Sequence, residues 1–237
     1  MRGSIQILLG AAAIAAYGFW ALGWRLTAIF FVVTYGLSLS IELAGTSTGW
    51  PFGPYAYTDF LGWKVLGHVP YTIPFSWFSM GLTSYILGTH LAAKLTVRRH
   101  ALWSLLCGAW LLTAWDLVLD PAMAHPDLQI HFWRWGQDGV YFGMPLQNLV
   151  GWSVTGLAFM AASRVLWKRD LQPEQAPPQI PLIFYTMNMV FAMAVSAHVG
   201  LWLPVVLATL LGLIPATLAW AWQPRQRARR LRWAHDG

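Results

Sequence analysis

Acidic residues are scarce in this chain: nine Asp and Glu in 237 positions, with charged residues of both signs at 10% and hydrophobic residues at 57%. A soluble domain carries about a quarter charged residues, so the composition argues against a soluble globular fold. Cysteine is nearly absent as well. Cys107 is the single one, which excludes an intramolecular disulfide and a cysteine metal site. There is no Gly-rich phosphate loop, no GxSxG and no CxxC. The seven histidines, His68, His90, His100, His125, His131, His198 and His235, form no HxxxH or HxxEH spacing. His125 and His131 flank an acid in HPDLQIH, which is a weak pointer to a metal, and no metal site is expected. His90 and His198 fall in apolar runs and are expected to be hydrogen-bonded core residues.

What the chain has instead is greasy length. Mean hydropathy is +0.49, and 16 Trp with 12 Phe suit interfacial belts or an apolar ligand tunnel. A span needs roughly 20 apolar residues. Seven candidates run from about Ile5 to Leu22, Leu26 to Ala44, Tyr71 to Ala93 (opened by Pro74), Ala101 to Leu119, Pro145 to Trp167, Pro181 to Val199 and Leu201 to Trp222. The expected fold is an all-α polytopic transmembrane bundle, one integral-membrane domain over residues 1–237. Arg25, Lys94, Arg98, Arg99, Lys168, Arg169 and the tail RQRARRLRW fall on one side, and only Arg2, Lys64 and Arg134 on the other. The positive-inside rule then puts the N-terminus outside and the basic tail, residues 223–237, in the cytoplasm of a cell-membrane protein. The tail is expected to anchor to lipid headgroups, not to nucleic acid.

Two long connections, roughly residues 45–70 and 120–144, share the charge-poor side. They are too aromatic for free solvent and are expected to fold back as re-entrant or interfacial segments that cap the bundle. They also echo each other. Glu42 ends a helix, a loop with PFGPY follows, and IPFSW opens the next helix. Asp116 and Asp120 end another, a loop with GVYFGMP follows, and PLQNLVGW opens the next. Either a degenerate repeat or convergent turn chemistry would produce this.

Three of the nine acids, Glu42, Asp116 and Asp120, thus lie at one level beside both loops. A carboxyl there costs several kcal/mol unless paired, solvated or protonated. An acid kept protonated in an apolar pocket can serve as a general acid, and aromatic faces steady a nearby cation. Trp50, Phe52, Tyr55, Tyr57, Trp77, Trp115, Trp133, Trp135, Tyr141 and Phe142 are the candidate cage, or in part a plain interfacial belt. Gln147 and Asn148 could position a water, or could cap the helix start. Acid plus cage is what protonating an alkene and hydrating the cation requires.

The run E-x-x-G-x-x-x-G-x-P-F-G-x-Y-x-Y from Glu42 to Tyr57 resembles that of carotenoid biosynthesis proteins of the CruF type. So do LGWKVLGHVPYTIPFSW, WDLVLDP and the run from Trp133 to Trp152. The resemblance covers residues 35 to 165 most strongly. It implies an integral-membrane hydratase that adds water to the terminal 1,2 double bond of an acyclic (ψ) carotenoid end and leaves a tertiary alcohol at C-1. Implied substrates are γ-carotene-like, lycopene-like or bacterioruberin-precursor polyenes. Partners would be that polyene, water, membrane lipid and other carotenoid-pathway enzymes, with no organic cofactor. The resemblance does not order the three acids; the reading of the residues makes Asp116 or Asp120 the expected proton donor, with Glu42 as its partner or as the base that orients water.

Other classes fit less well. Asp116-x-x-x-Asp120 resembles half of a prenyltransferase diphosphate–magnesium motif, but a second acidic motif is missing and the basic residues collect on the opposite face. A retinal-type Schiff base needs a lysine that the seventh span lacks. A transporter should show broken helices at midplane. A non-catalytic carotenoid-binding protein is the remaining alternative.

Overall fold

The structure is a computed structural model that describes residues 2–95 and 100–220. Arg98, Arg99, the Arg2 side chain, the end of the last expected span and the tail with its His235 lie outside the described residues. Seven helices form the bundle: α1 Arg2–Ala21, α2 Trp24–Thr48, α3 Ile73–Lys94, α4 His100–Met123, α5 Leu146–Trp167, α6 Gln179–His198 and α7 Trp202–Trp220, the last with a π-turn at Thr209–Leu213. All but α3 are long and apolar enough to cross a membrane. The chain is a multi-pass membrane protein.

Helix α3 differs because it is the central post. It is buried without a break from Trp77 to His90 and packs against α1, α2, α4, α6 and α7. A helix surrounded by protein can carry Ser, Thr and His where a lipid-facing one cannot. His90 is accordingly a hydrogen-bonded core residue, its Nε2 2.8 Å from the Ala176 carbonyl. His198 corrects the expectation. It is exposed at the C-terminal end of α6, where the helix has already left the core.

Helix α2 extends six residues past Glu42, which therefore lies inside it and not at its end. Gly49, in the left-handed conformation at φ 79°, stops it by donating its N–H to Gly45. Helix α4 likewise runs through Asp120 to Met123 and carries Pro121 within its last turn. Proline has no N–H for the carbonyl four residues back. The Tyr141 hydroxyl meets that carbonyl instead, donating to Leu117 at 3.1 Å.

Hydropathy did not predict that the two long loops would pair as strands. β1 (Tyr55–Tyr57) and β4 (Trp133–Trp135) form an antiparallel ladder in the register Tyr55 with Trp135, Ala56 with Arg134 and Tyr57 with Trp133. β2 (Lys64–Val65) and β3 (Val69–Pro70) make a small hairpin beside it. The ladder ties the loops together at one end of the bundle, directly over the acid-bearing ends of α2 and α4.

Helices α3 and α4 approach each other backbone to backbone. A Cβ added to Gly88 would lie 2.3 Å from the Gly108 backbone nitrogen. Small residues let helices meet backbone to backbone in a membrane. Gly88→Val must therefore push α4 away from α3. The expected cost is about 1–3 kcal/mol, read as a lower unfolding midpoint in detergent. An unchanged midpoint would contradict this packing.

Candidate functional site

The three acids of the sequence come together under the paired strands, and other side chains meet each of them. Glu42 is buried. Its Oε1 accepts from Trp77 Nε1 at 2.8 Å, and its Oε2 accepts from the hydroxyls of both Tyr57, at 2.9 Å, and Tyr55. Burial first, and then the neighbouring Glu42 carboxyl, hold both phenols well above the ordinary tyrosine range. Both therefore keep their protons and act as donors.

Asp116 and Asp120, one turn apart on α4, are fastened by Asn148 at the start of α5. Its Nδ2 donates to Asp116 Oδ2 at 2.8 Å and to Asp120 Oδ2 at 2.7 Å. The two carboxyls are within hydrogen-bonding reach of each other. Asp116 Oδ1 is buried and meets no donor group.

The echo in the sequence has a physical counterpart. Tyr55 opens its strand 13 residues after Glu42, and Trp133 opens its strand at the same separation from Asp120. Trp77 and Asn148 each stand third after the proline that opens their helix, Pro74 and Pro145, and each donates to acid on the preceding helix. The antiparallel pairing about Ala56 and Arg134 gives these two segments a local two-fold arrangement.

A cavity of about 420 Å³ lies inside this frame, within the range of small-molecule sites. Its wall includes Glu42, Asp120 and Asn148 together with Phe52, Tyr55, Tyr57, Trp77, Trp115, Trp133 and Trp135. Asp116 stands behind Asp120, off the wall. Three expected cage residues are elsewhere. Trp50 is exposed in the turn after α2. Phe142 is exposed at the tip of a tight turn, with φ at 50°. Tyr141 serves the carbonyl freed by Pro121. Gln147 is also off the wall and ties α5 to α2 through the Gly49 carbonyl. His125 and His131 stay in their own loop, with the His131 ring against the Pro126 carbonyl. Among the described residues no group of three or more His, Cys, Asp or Glu is placed to hold a metal.

Two features were missed. Trp152 lies on the wall, stacked on Trp77 at 4.0 Å between ring centres and edge-on to Trp115 at 5.7 Å. Its position one turn after Asn148 puts it on the same helix face, a signal present in the sequence. The second is the role of two motif glycines. Phe52 is wedged so closely between α2 and α5 that a Cβ on Gly45 would lie 2.8 Å from its ring, and one on Gly151 2.4 Å.

The sequence profile of a family described as "Carotenoid biosynthesis protein" matches residues 2–215. A curated relative, bisanhydrobacterioruberin hydratase of Haloarcula japonica, is 40% identical over 123 residues. That match spans 50% of this chain and 38% of the relative, so it covers well under half of that protein's length. No solved structure matches. The match over nearly the whole described chain settles the family: this protein belongs to the carotenoid biosynthesis proteins.

Proposed function

We propose that this chain is a hydratase of the terminal 1,2 double bond of an acyclic carotenoid end. The named activity of the Haloarcula relative supports a hydratase. The observation that carries the reading is chemical: acids meet an aromatic, otherwise apolar wall in one cavity. Such a site suits an alkene that must become a cation and then an alcohol.

Hydrogen bonding supports a division of roles. Glu42 receives three donors, which is the environment of an acceptor-only, ionised carboxylate. A carboxylate has about four acceptor sites, so one remains for a water. The Asp pair receives a single amide and leaves Asp116 Oδ1 without a donor. A proton shared within the pair supplies the missing donor, since two carboxyls in contact do not both ionise. Asp120 is the member on the cavity wall and is the proton donor; Asp116 holds it in place.

In the reaction, the π electrons of the double bond take the Asp120 proton at C-2, leaving a tertiary cation at C-1. The faces of Trp77, Trp115 and Trp152 and the charge of Glu42 stabilise that cation. Water held on Glu42 forms the C–O bond at C-1 and loses its extra proton to Glu42. Proton exchange with water resets both groups. The sum is addition of one water, with no oxidant or reductant. Substrates are γ-carotene-like, lycopene-like or bacterioruberin-precursor polyenes. The chain is oriented with its N-terminus and the strand cap outside, its C-terminus in the cytoplasm. A reporter active only outside the cytoplasm should be silent when fused at the C-terminus, and activity there would invert the topology.

Two further outcomes follow for a carotenoid-producing host. Asp120→Asn and Glu42→Gln should each lower hydroxylated pigment by at least about 100-fold, the usual scale of general acid–base catalysis, at unchanged protein level. Parental pigment from both variants would end the assignment. In ¹⁸O-labelled water the new hydroxyl should carry ¹⁸O, whereas label arriving only from molecular oxygen would mean a hydroxylase.

A further inference from the structure

We infer that the carotenoid end reaches the acids sideways from the lipid, through a slot between α1 and α6; this rests on the hydratase reading. The cavity is not confined to the acid cluster. It continues to Gly3, Gln6, Ile7 and Gly10 on α1 and to Phe184, Met187, Asn188 and Phe191 on α6. Each set has the i, i+3, i+4, i+7 spacing of a single helix face. The two helices therefore present facing stripes to the same space. At 1.5 Å per residue each stripe is roughly 10 Å long.

Exposure shows where that space leads. Met187 is 67% exposed and Phe191 43%, so residues that line the cavity also stand on the bundle's surface. Met187's neighbours on α6, Ile183 and Val190, are also large, apolar and exposed. That surface faces acyl chains. Helix α1 leans mainly on α3, and its seam with α6 is thin. The seam is closed at one end, where a Cβ on Gly10 would come within 3.1 Å of the Phe184 ring.

The other approach suits water instead. A second hollow lies against the strand cap and shares Tyr57 with the cavity. It is lined by Thr58, Asp59, Lys64, His131 and Arg134, with Ala56 and Phe60 beside them. A hydrocarbon chain gains nothing by crossing such groups. In the slot the linear polyene stays in lipid while only its end enters the protein.

The test closes the slot reversibly. In a Cys107→Ser background, Ile7→Cys and Met187→Cys are joined by a bifunctional methanethiosulfonate after reconstitution in lipid vesicles. Lycopene is then added, and both the induced circular dichroism of its polyene band and hydrated product are followed. Crosslinking before lycopene should reduce both signals to the level of empty vesicles, and reductant should restore them. The Cys107→Ser protein without the two added cysteines, treated alike, should behave as untreated. Crosslinked protein that binds lycopene as fast as the reduced form would overturn the slot. Failure of the hydratase reading looks different: binding gated by the crosslink, with no water added in either state. Ile7→Trp, which narrows the slot without reagent, should weaken the dichroic signal in the same way, and full binding by a folded Ile7→Trp protein would also overturn the proposal.

Discussion

A carboxyl inside an apolar bundle costs several kcal/mol unless other groups answer it, and this protein buries three at one level. Much of the architecture follows from that demand. Glu42 can stand on α2 because α3 brings Trp77 and β1 brings two tyrosines. Asp116 and Asp120 can stand on α4 because α5 opens with Asn148. The loops could not be free in solvent, because β1 supplies donors and β4 holds β1 in register.

The helices that carry acid and donor must also hold their relative heights, since hydrogen bonds fail over fractions of an ångström. Glycine contacts supply this rigidity. Gly88 against Gly108 fixes α3 on α4, and Phe52 between Gly45 and Gly151 fixes α2 on α5. The same residues that make a recognisable motif therefore act as spacers more than as ligands.

The helices were legible because lipid imposes a length and a polarity on them. Their ends were less so: hydropathy stops at the first polar residue, whereas α2 and α4 continue until Gly49 or the loop chemistry ends them. The acids were legible because charge is rare here and each acid in a greasy run demands a reason. The ring of aromatics was only half legible. Trp77 and Trp115 are on the wall, but composition cannot tell a tryptophan that faces inward from one in a turn, so Trp50, Tyr141 and Phe142 were grouped with them. Trp152 was overlooked although its helical spacing from Asn148 pointed inward. Strand pairing between loops nearly 80 residues apart leaves no local signal at all.

The paired strands hold two similar segments about one local axis, yet the two poles differ in kind. One presents a carboxyl met by three donors, the other a pair of carboxyls met by a single amide. On the proposed reading, a double bond between them would meet a proton source on one flank and a proton acceptor with its water on the other. Hydrogen and oxygen would then arrive from opposite faces and at neighbouring carbons. An anti addition of fixed direction would thus follow from how a near-symmetric frame has been filled asymmetrically.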